Sequence, residues 1–201
     1  MKPKSNRKPG PMDNCQTPPY AIKPLIDWIW MSSVSTIWEP AAGEGILARA
    51  LEKNGFNLVC SDIDPAADIT YGQVIDFLTE ETSHQYETIV TNPPFSQKFE
   101  WLERCYTLGK GFALLLPLET LGAARAQDLF DMYGVAVLLM SPRVDFKMPD
   151  AGWMGGGAQF PVAWFLGGYL IEDDERNRFF IHRLDKTSKH ELHELDEAGK
   201  L

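Results

Sequence analysis

Cysteine is scarce: three in 201 residues, at Cys15, Cys60 and Cys105, with no Cys-x-x-Cys pair. That excludes a disulfide framework and a cysteine zinc site, and leaves three free thiols. None follows a proline, so the Pro-Cys nucleophile of cytosine-C5 chemistry is missing. His190 and His193 lie in Lys189-His190-Glu191-Leu192-His193-Glu194, a polar stretch that does not make His-Glu-x-x-His, and no metal is assigned. Long apolar runs are absent, and the basic, proline-broken lead Met1 to Pro11 lacks the apolar core of a signal peptide. A cytoplasmic protein without membrane contact is expected. Positive charge is short as well: 19 Lys and Arg stand against 28 Asp and Glu, a formal charge of -9. Tight nonspecific binding to nucleic acid is therefore not expected. Phosphate loops are also missing, because Gly45 is followed by Ile46, Leu47 and Ala48, with no Lys-Ser/Thr pair after it.

What is present suits one α/β domain. At 44% hydrophobic content the chain can fill a single core but not two ordinary ones. Residues 1–14 read as a flexible basic arm, 15–171 as the folded domain and 172–201 as a charged C-terminal tail.

The most informative segment is Thr91-Asn92-Pro93-Pro94-Phe95. An Asn side-chain oxygen and a backbone carbonyl can accept both hydrogens of a planar primary amine, two prolines stiffen the turn, and a Phe ring offers a stacking face. The β-branched run Tyr86 to Val90 precedes it, which places the motif at the carboxyl end of a strand, where open α/β sheets bind ligands.

Upstream, Thr36-Ile37-Trp38-Glu39-Pro40-Ala41-Ala42-Gly43-Glu44-Gly45 reads as a first strand entering a glycine turn, with a helix from Ile46 to Asn54. Gly43 and Gly45 allow backbone to approach a ligand, and Glu39 can receive a positive charge. A carboxylate ahead of the glycines repels a pyrophosphate and welcomes an ammonium, which fits S-adenosylmethionine (SAM). A second strand, Asn57 to Ser61, ends in Asp62-Ile63-Asp64-Pro65, where Asp62 is placed to bind ribose hydroxyls. In Val74-Ile75-Asp76-Phe77-Leu78, Asp76 can accept an adenine amino group and Phe77 can cover its ring.

Together these segments resemble the class I, SAM-dependent adenine-N6 methyltransferases, in particular the small phage-type DNA adenine methylases. The cofactor motif is matched by Glu39, Pro40, Ala41, Gly43 and Gly45, the ribose acid by Asp62 with Ile63 beside it, the adenine-contacting pair by Asp76 and Phe77, and the catalytic motif by Asn92, Pro93, Pro94 and Phe95. Thr17-Pro18-Pro19-Tyr20 is similar to the segment that closes over the methionine carboxylate in that family. The resemblance implies a Rossmann-like, mostly parallel seven-stranded sheet with an antiparallel last strand and helices on both faces. It also implies a gamma-like motif order and direct methyl transfer to a flipped adenine. Guanine-N2 or adenine-N6 methylation of RNA, glutamine methylation of protein, and a non-catalytic SAM-binding subunit remain alternatives.

Beyond the motifs, Lys98 to Leu108 and Ala123 to Tyr133 read as helices and Gly111 to Pro117 as a buried strand. Val135 to Met140 and Val162 to Leu170 are expected to pair antiparallel at the sheet edge. Between them a long loop carries Arg143, Lys147 and Trp153, candidates for phosphate contact and base stacking. The acidic balance leaves room for a homodimer or a partner subunit that supplies grip on nucleic acid.

Overall fold

The computed structural model describes residues 13–65, 67, 73–155, 158–187 and 189–199. Most of the expected basic arm, and Gly156 and Gly157, lie outside them. Eight strands form the main sheet: β1 (Thr36–Glu39), β2 (Asn57–Asp62), β3 (Gln73–Val74), β4 (Thr88–Thr91), β5 (Gly111–Pro117), β6 (Ala136–Ser141), β9 (Val162–Gly167) and β10 (Arg178–Arg183). Strands β7 (Lys147–Met148) and β8 (Gly152–Trp153) form a separate small hairpin. The helices are α1 (Lys23–Met31), α2 (Ile46–Lys53), α3 (Lys98–Leu108), α4 (Ala124–Tyr133) and α5 (Lys189–Glu197).

Side by side, the strands run β3-β2-β1-β4-β5-β9-β6-β10, all parallel except β9. The order reverses between β1 and β4, since β2 and β3 extend one way and β5 the other. A crevice opens at the carboxyl ends of such a pair.

Alternation along the strands feeds two cores. In β5, Ala113 and Leu115 join the cluster under α1 and α2, while Phe112, Leu114 and Leu116 join the one under α3 and α4. Every residue of β5 is buried, as a central strand covered on both faces must be. In α3, Trp101, Leu102 and Cys105 fall on one helical face and are buried against the second core. No helix among the described residues is long and apolar enough to cross a membrane.

Two expectations need correction. The runs at 135–140 and 162–170 do pair antiparallel, but β9 inserts between β5 and β6 rather than closing the sheet. The outer place is taken by β10, parallel to β6, which makes eight strands instead of seven. The segment after 171 was expected to be a charged tail because it is short and opens on the acidic run Glu172 to Glu175; in the structure five of the six β10 residues are exposed, as an edge strand allows. Helix α5 is likewise held in place: Leu192 is buried in the first core.

Candidate active site

The crevice at the β1/β4 switch is a cavity of about 860 Å³, within the range that holds a cofactor-sized ligand. Its floor is the glycine turn after β1. Gly43 (φ 53°) and Gly45 (φ 74°) both take left-handed backbone, which favours glycine, and Gly45 opens α2. Pro40, Ala41, Ala42 and Gly43 line the cavity.

Glu39 departs from the role expected of it. It is fully buried and does not line the cavity. Its Oε1 accepts the Thr91 hydroxyl at 2.5 Å and the Ala41 N–H at 3.1 Å, tying the glycine turn to the tip of β4. Burial pushes its carboxyl up to about 8, against the lowering effect of those two hydrogen bonds. Its Oε2 has no hydrogen-bond partner. The carboxyl group is a strut between two loops: its Oε1 bonds both, and the side chain does not reach the cavity.

Asp62 stands where the ribose acid was expected, at the end of β2. Its Oδ2 accepts the Gly43 N–H and its Oδ1 the Asp64 N–H, both at 2.9 Å. It lines the cavity beside Ile63, an exposed apolar side chain, and Asp76 and Phe77 line the same space. Phe77 is largely committed to the core: it stacks on Trp101 at 4.3 Å and meets Trp38 edge-on. Trp101 also lines the cavity, and its buried Nε1 has no partner.

At the tip of β4 the Asn-Pro-Pro-Phe turn forms the next wall. Asn92 and Pro94 line the cavity, while Pro93 and Phe95 are buried outside it. The Asn92 Nδ2 donates to the Cys15 carbonyl at 3.1 Å, and its Oδ1 is buried without a partner. Phe95 is only 7% exposed and lies edge-on to Phe146 and Phe160, so it offers little free ring for stacking.

The segment before the 3-10 turn Pro19–Ile22 forms the opposite wall. Thr17 lines the cavity, is buried, and keeps its hydroxyl oxygen unpartnered. Asp13, Cys15 and Gln16 were not among the site residues expected from sequence, where Cys15 was read only as a free thiol, yet all three line the cavity. Burial raises the Cys15 thiol to about 11 despite a hydrogen bond from Asn92, so it is protonated and non-nucleophilic at neutral pH.

The three candidates for target contact are dispersed. Arg143 is exposed and donates to the Gln159 carbonyl; it does not line the cavity. Lys147 pairs with Glu44 at 2.6 Å and Asp196 at 2.7 Å. Burial alone would lower its ammonium pKa, but those two acids hold it above the ordinary value. Trp153 is 2% exposed and packs in the first core, which rules out a surface stacking role in this conformation. A tryptophan in a loop can lie on the surface or beneath it, and composition does not say which; here the β7–β8 hairpin folds its ring inward.

The electrostatic character of the cavity is acidic. Asp13, Glu44, Asp62, Asp64, Asp76 and Asp196 stand around it, with Arg49 as the basic lining residue. Such a field favours a ligand that carries positive charge and disfavours a pyrophosphate.

No protein-family model matches the chain, and no curated protein sequence matches it significantly. Solved structures do. A proposed RNA methyltransferase from Pyrococcus horikoshii is similar over 85% of this chain and 95% of its own, at 14% identity and a TM-score of 0.60. The modification subunit of a proposed type I restriction enzyme from Vibrio vulnificus is similar over 94% of this chain and 52% of its own, at 11% identity and a TM-score of 0.53. A human methyltransferase 10 domain containing protein is similar over 74% of this chain and 82% of its own, at 10% identity and a TM-score of 0.50. At these identities the likeness is one of fold. The fold is the Rossmann-like fold of the class I methyltransferases.

Proposed function

We propose that this protein is a SAM-dependent N-methyltransferase acting on an exocyclic amine of nucleic acid, with N6 of adenine in DNA as the favoured target. The observation that carries the reading is the Asn92 carboxamide: one end is fixed on the Cys15 carbonyl, and the other is a buried acceptor without a protein partner at the cavity wall. An acceptor left unsatisfied costs about 1–3 kcal/mol, and at a cavity wall a ligand donor can satisfy it.

The residues present fit SAM. Asp62 is placed for the ribose hydroxyls, Ile63, Asp76 and Phe77 for the adenine, and the glycine turn and the Thr17 hydroxyl for the methionine end. The acidic ring favours the sulfonium and ammonium charges. SAM supplies a methyl group on a good leaving group, so positioning rather than strong general-base catalysis carries the rate. Asn92 Oδ1 accepts one hydrogen of the target amine and the Pro93 carbonyl is assigned the second. Both bonds strengthen as the nitrogen turns tetrahedral and its lone pair leaves the ring.

Grip on the target is the weakest-built function of the chain. With Lys147 paired and Trp153 buried, we assign target binding to the exposed Arg143, to the basic arm before Asp13, and to a second subunit. The Pyrococcus neighbour's description as an RNA methyltransferase supports RNA as the second reading. The deciding experiment is incubation with methyl-tritiated SAM and separate pools of unmethylated duplex DNA, RNA and protein, followed by nucleoside analysis. N6-methyladenosine from RNA would redirect the substrate, and label in the protein pool alone would exclude nucleic acid.

A further inference from the structure

We infer that Asp13 is a positioning residue for Asn92, fixing which end of its carboxamide faces the cavity. The inference rests on the proposed role of Asn92 as acceptor for the target amine.

The two ends of a carboxamide are nearly equal in size and opposite in hydrogen-bonding sense. Turned over, Asn92 would present N–H to an amine that also presents N–H, and the site would repel what it has to hold. The group that fixes the sense is the Cys15 carbonyl, which accepts from Nδ2 at 3.1 Å, assisted by the Cys15 sulfur at 3.7 Å. Cys15 belongs to a short strap anchored on either side of it. On one side, Asp13 accepts the Ser96 N–H at 2.9 Å and the Ser96 hydroxyl at 2.6 Å. Ser96 sits in the 3-10 turn Phe95–Gln97, immediately after the Asn-Pro-Pro-Phe motif. On the other side, Gln16 exchanges two backbone hydrogen bonds with Lys147, at 2.8 and 3.0 Å, and its Oε1 accepts the Glu44 N–H at 3.1 Å.

Asp13 and Asn92 therefore hold opposite ends of one closed circuit. The carboxylate grips the turn that follows Asn92, and the chain two residues further along returns to the carboxamide. Cutting the Asp13 grip removes no core side chain, since Asp13 belongs to neither core, but it releases one end of the strap that carries Cys15 at the edge of the first core and lets the amide turn. Ser96 offers two donors and Asp13 is acceptor-only when ionised, so an Asn at position 13 preserves one of the two bonds.

The test uses the full-length protein and its Asp13→Ala, Asp13→Asn and Asn92→Ala variants, with unmethylated duplex DNA and SAM. Loss of the orienting contact predicts that Asp13→Ala lowers kcat about tenfold at saturating SAM with melting temperature close to wild type, and that Asp13→Asn, which removes the same one of six cavity acids and so shares any loss of SAM affinity, recovers part of the kcat loss. Independently of turnover, the ¹⁵N side-chain amide signal of Asn92, identified by its absence in Asn92→Ala, should shift in Asp13→Ala toward that of a solvent-exchanging amide. An unmoved Asn92 signal overturns the inference, as does a kcat loss that merely tracks lost SAM affinity or stability. If wild-type protein methylates no pool, the proposed function fails by itself, and the amide signal still decides whether Asp13 positions Asn92.

Discussion

Replacing Glu39 with glutamine probes the strut that joins the two halves of the site. The carboxyl is fully buried, with Oε1 held by Thr91 and Ala41 and Oε2 unpartnered. Burial places its pKa at about 8 in the fold against 4.5 ordinarily. Between those values the folded protein keeps a proton that the unfolded chain has released. Folding is thus favoured by protonation: the contribution of Glu39 is complete below about pH 4.5 and disappears as pH rises through about 8. At about 1.36 kcal/mol per pH unit the full span corresponds to about 5 kcal/mol, and relaxation around the charged form reduces the expected loss to about 2 kcal/mol. For a domain of this size that is a fall of about 4–8 °C in Tm between pH 5 and 8.5. Glutamine cannot ionise, keeps an acceptor for Ala41 and Thr91, and should flatten that part of the profile. Thermal melts of both proteins across this range give the answer as a difference, in which groups common to both cancel. Parallel Tm–pH curves would refute the assignment of a buried, protonated carboxyl.

Three further substitutions address separate walls. Asp62→Ala removes the acceptor for the Gly43 and Asp64 N–H groups and should weaken SAM binding by about 10–100-fold in calorimetry; unchanged affinity would remove Asp62 from the cofactor site. Gly43→Ala forces a side chain into left-handed backbone, with its Cβ 2.5 Å from Gln16 Nε2. It should cost about 1–2 kcal/mol in chemical denaturation and loosen the strap, whereas wild-type stability would mean that the turn relaxes freely. Trp153→Ala empties a core site and should cost about 3–5 kcal/mol while leaving the nucleic-acid affinity of the folded protein unaltered in fluorescence anisotropy; lost affinity at retained stability would return Trp153 to the target interface.

Much of the site was legible because it is made of local backbone chemistry. A glycine turn, an acid closing a strand and an Asn-Pro-Pro turn each declare themselves within a few residues. Helix α3 and strand β5 fall on their expected limits, since an amphipathic face and a continuous apolar run have clear ends. Contacts between distant segments were not legible: Asp13 meets Ser96 across 83 residues, and no local pattern announces that pairing. Burial sense was equally hidden. Trp153, Phe95 and Glu39 carry suitable chemistry, but a side chain's direction from a loop or strand tip is settled by packing, which also drew Lys147 into ion pairs with Glu44 and Asp196. Strand β10 was missed because an edge strand needs few apolar residues.

The central claim is that Asn92 presents an acceptor to the target amine at the point where that amine meets the methyl group of bound SAM. A crystal structure with sinefungin, which carries an amine in place of the methyl-bearing sulfonium, measures this directly. The account predicts that amine at about 3 Å from Asn92 Oδ1, with Nδ2 still on the Cys15 carbonyl. A sinefungin amine beyond hydrogen-bond reach of Asn92, or a ligand seated outside the β1/β4 crevice, would contradict it.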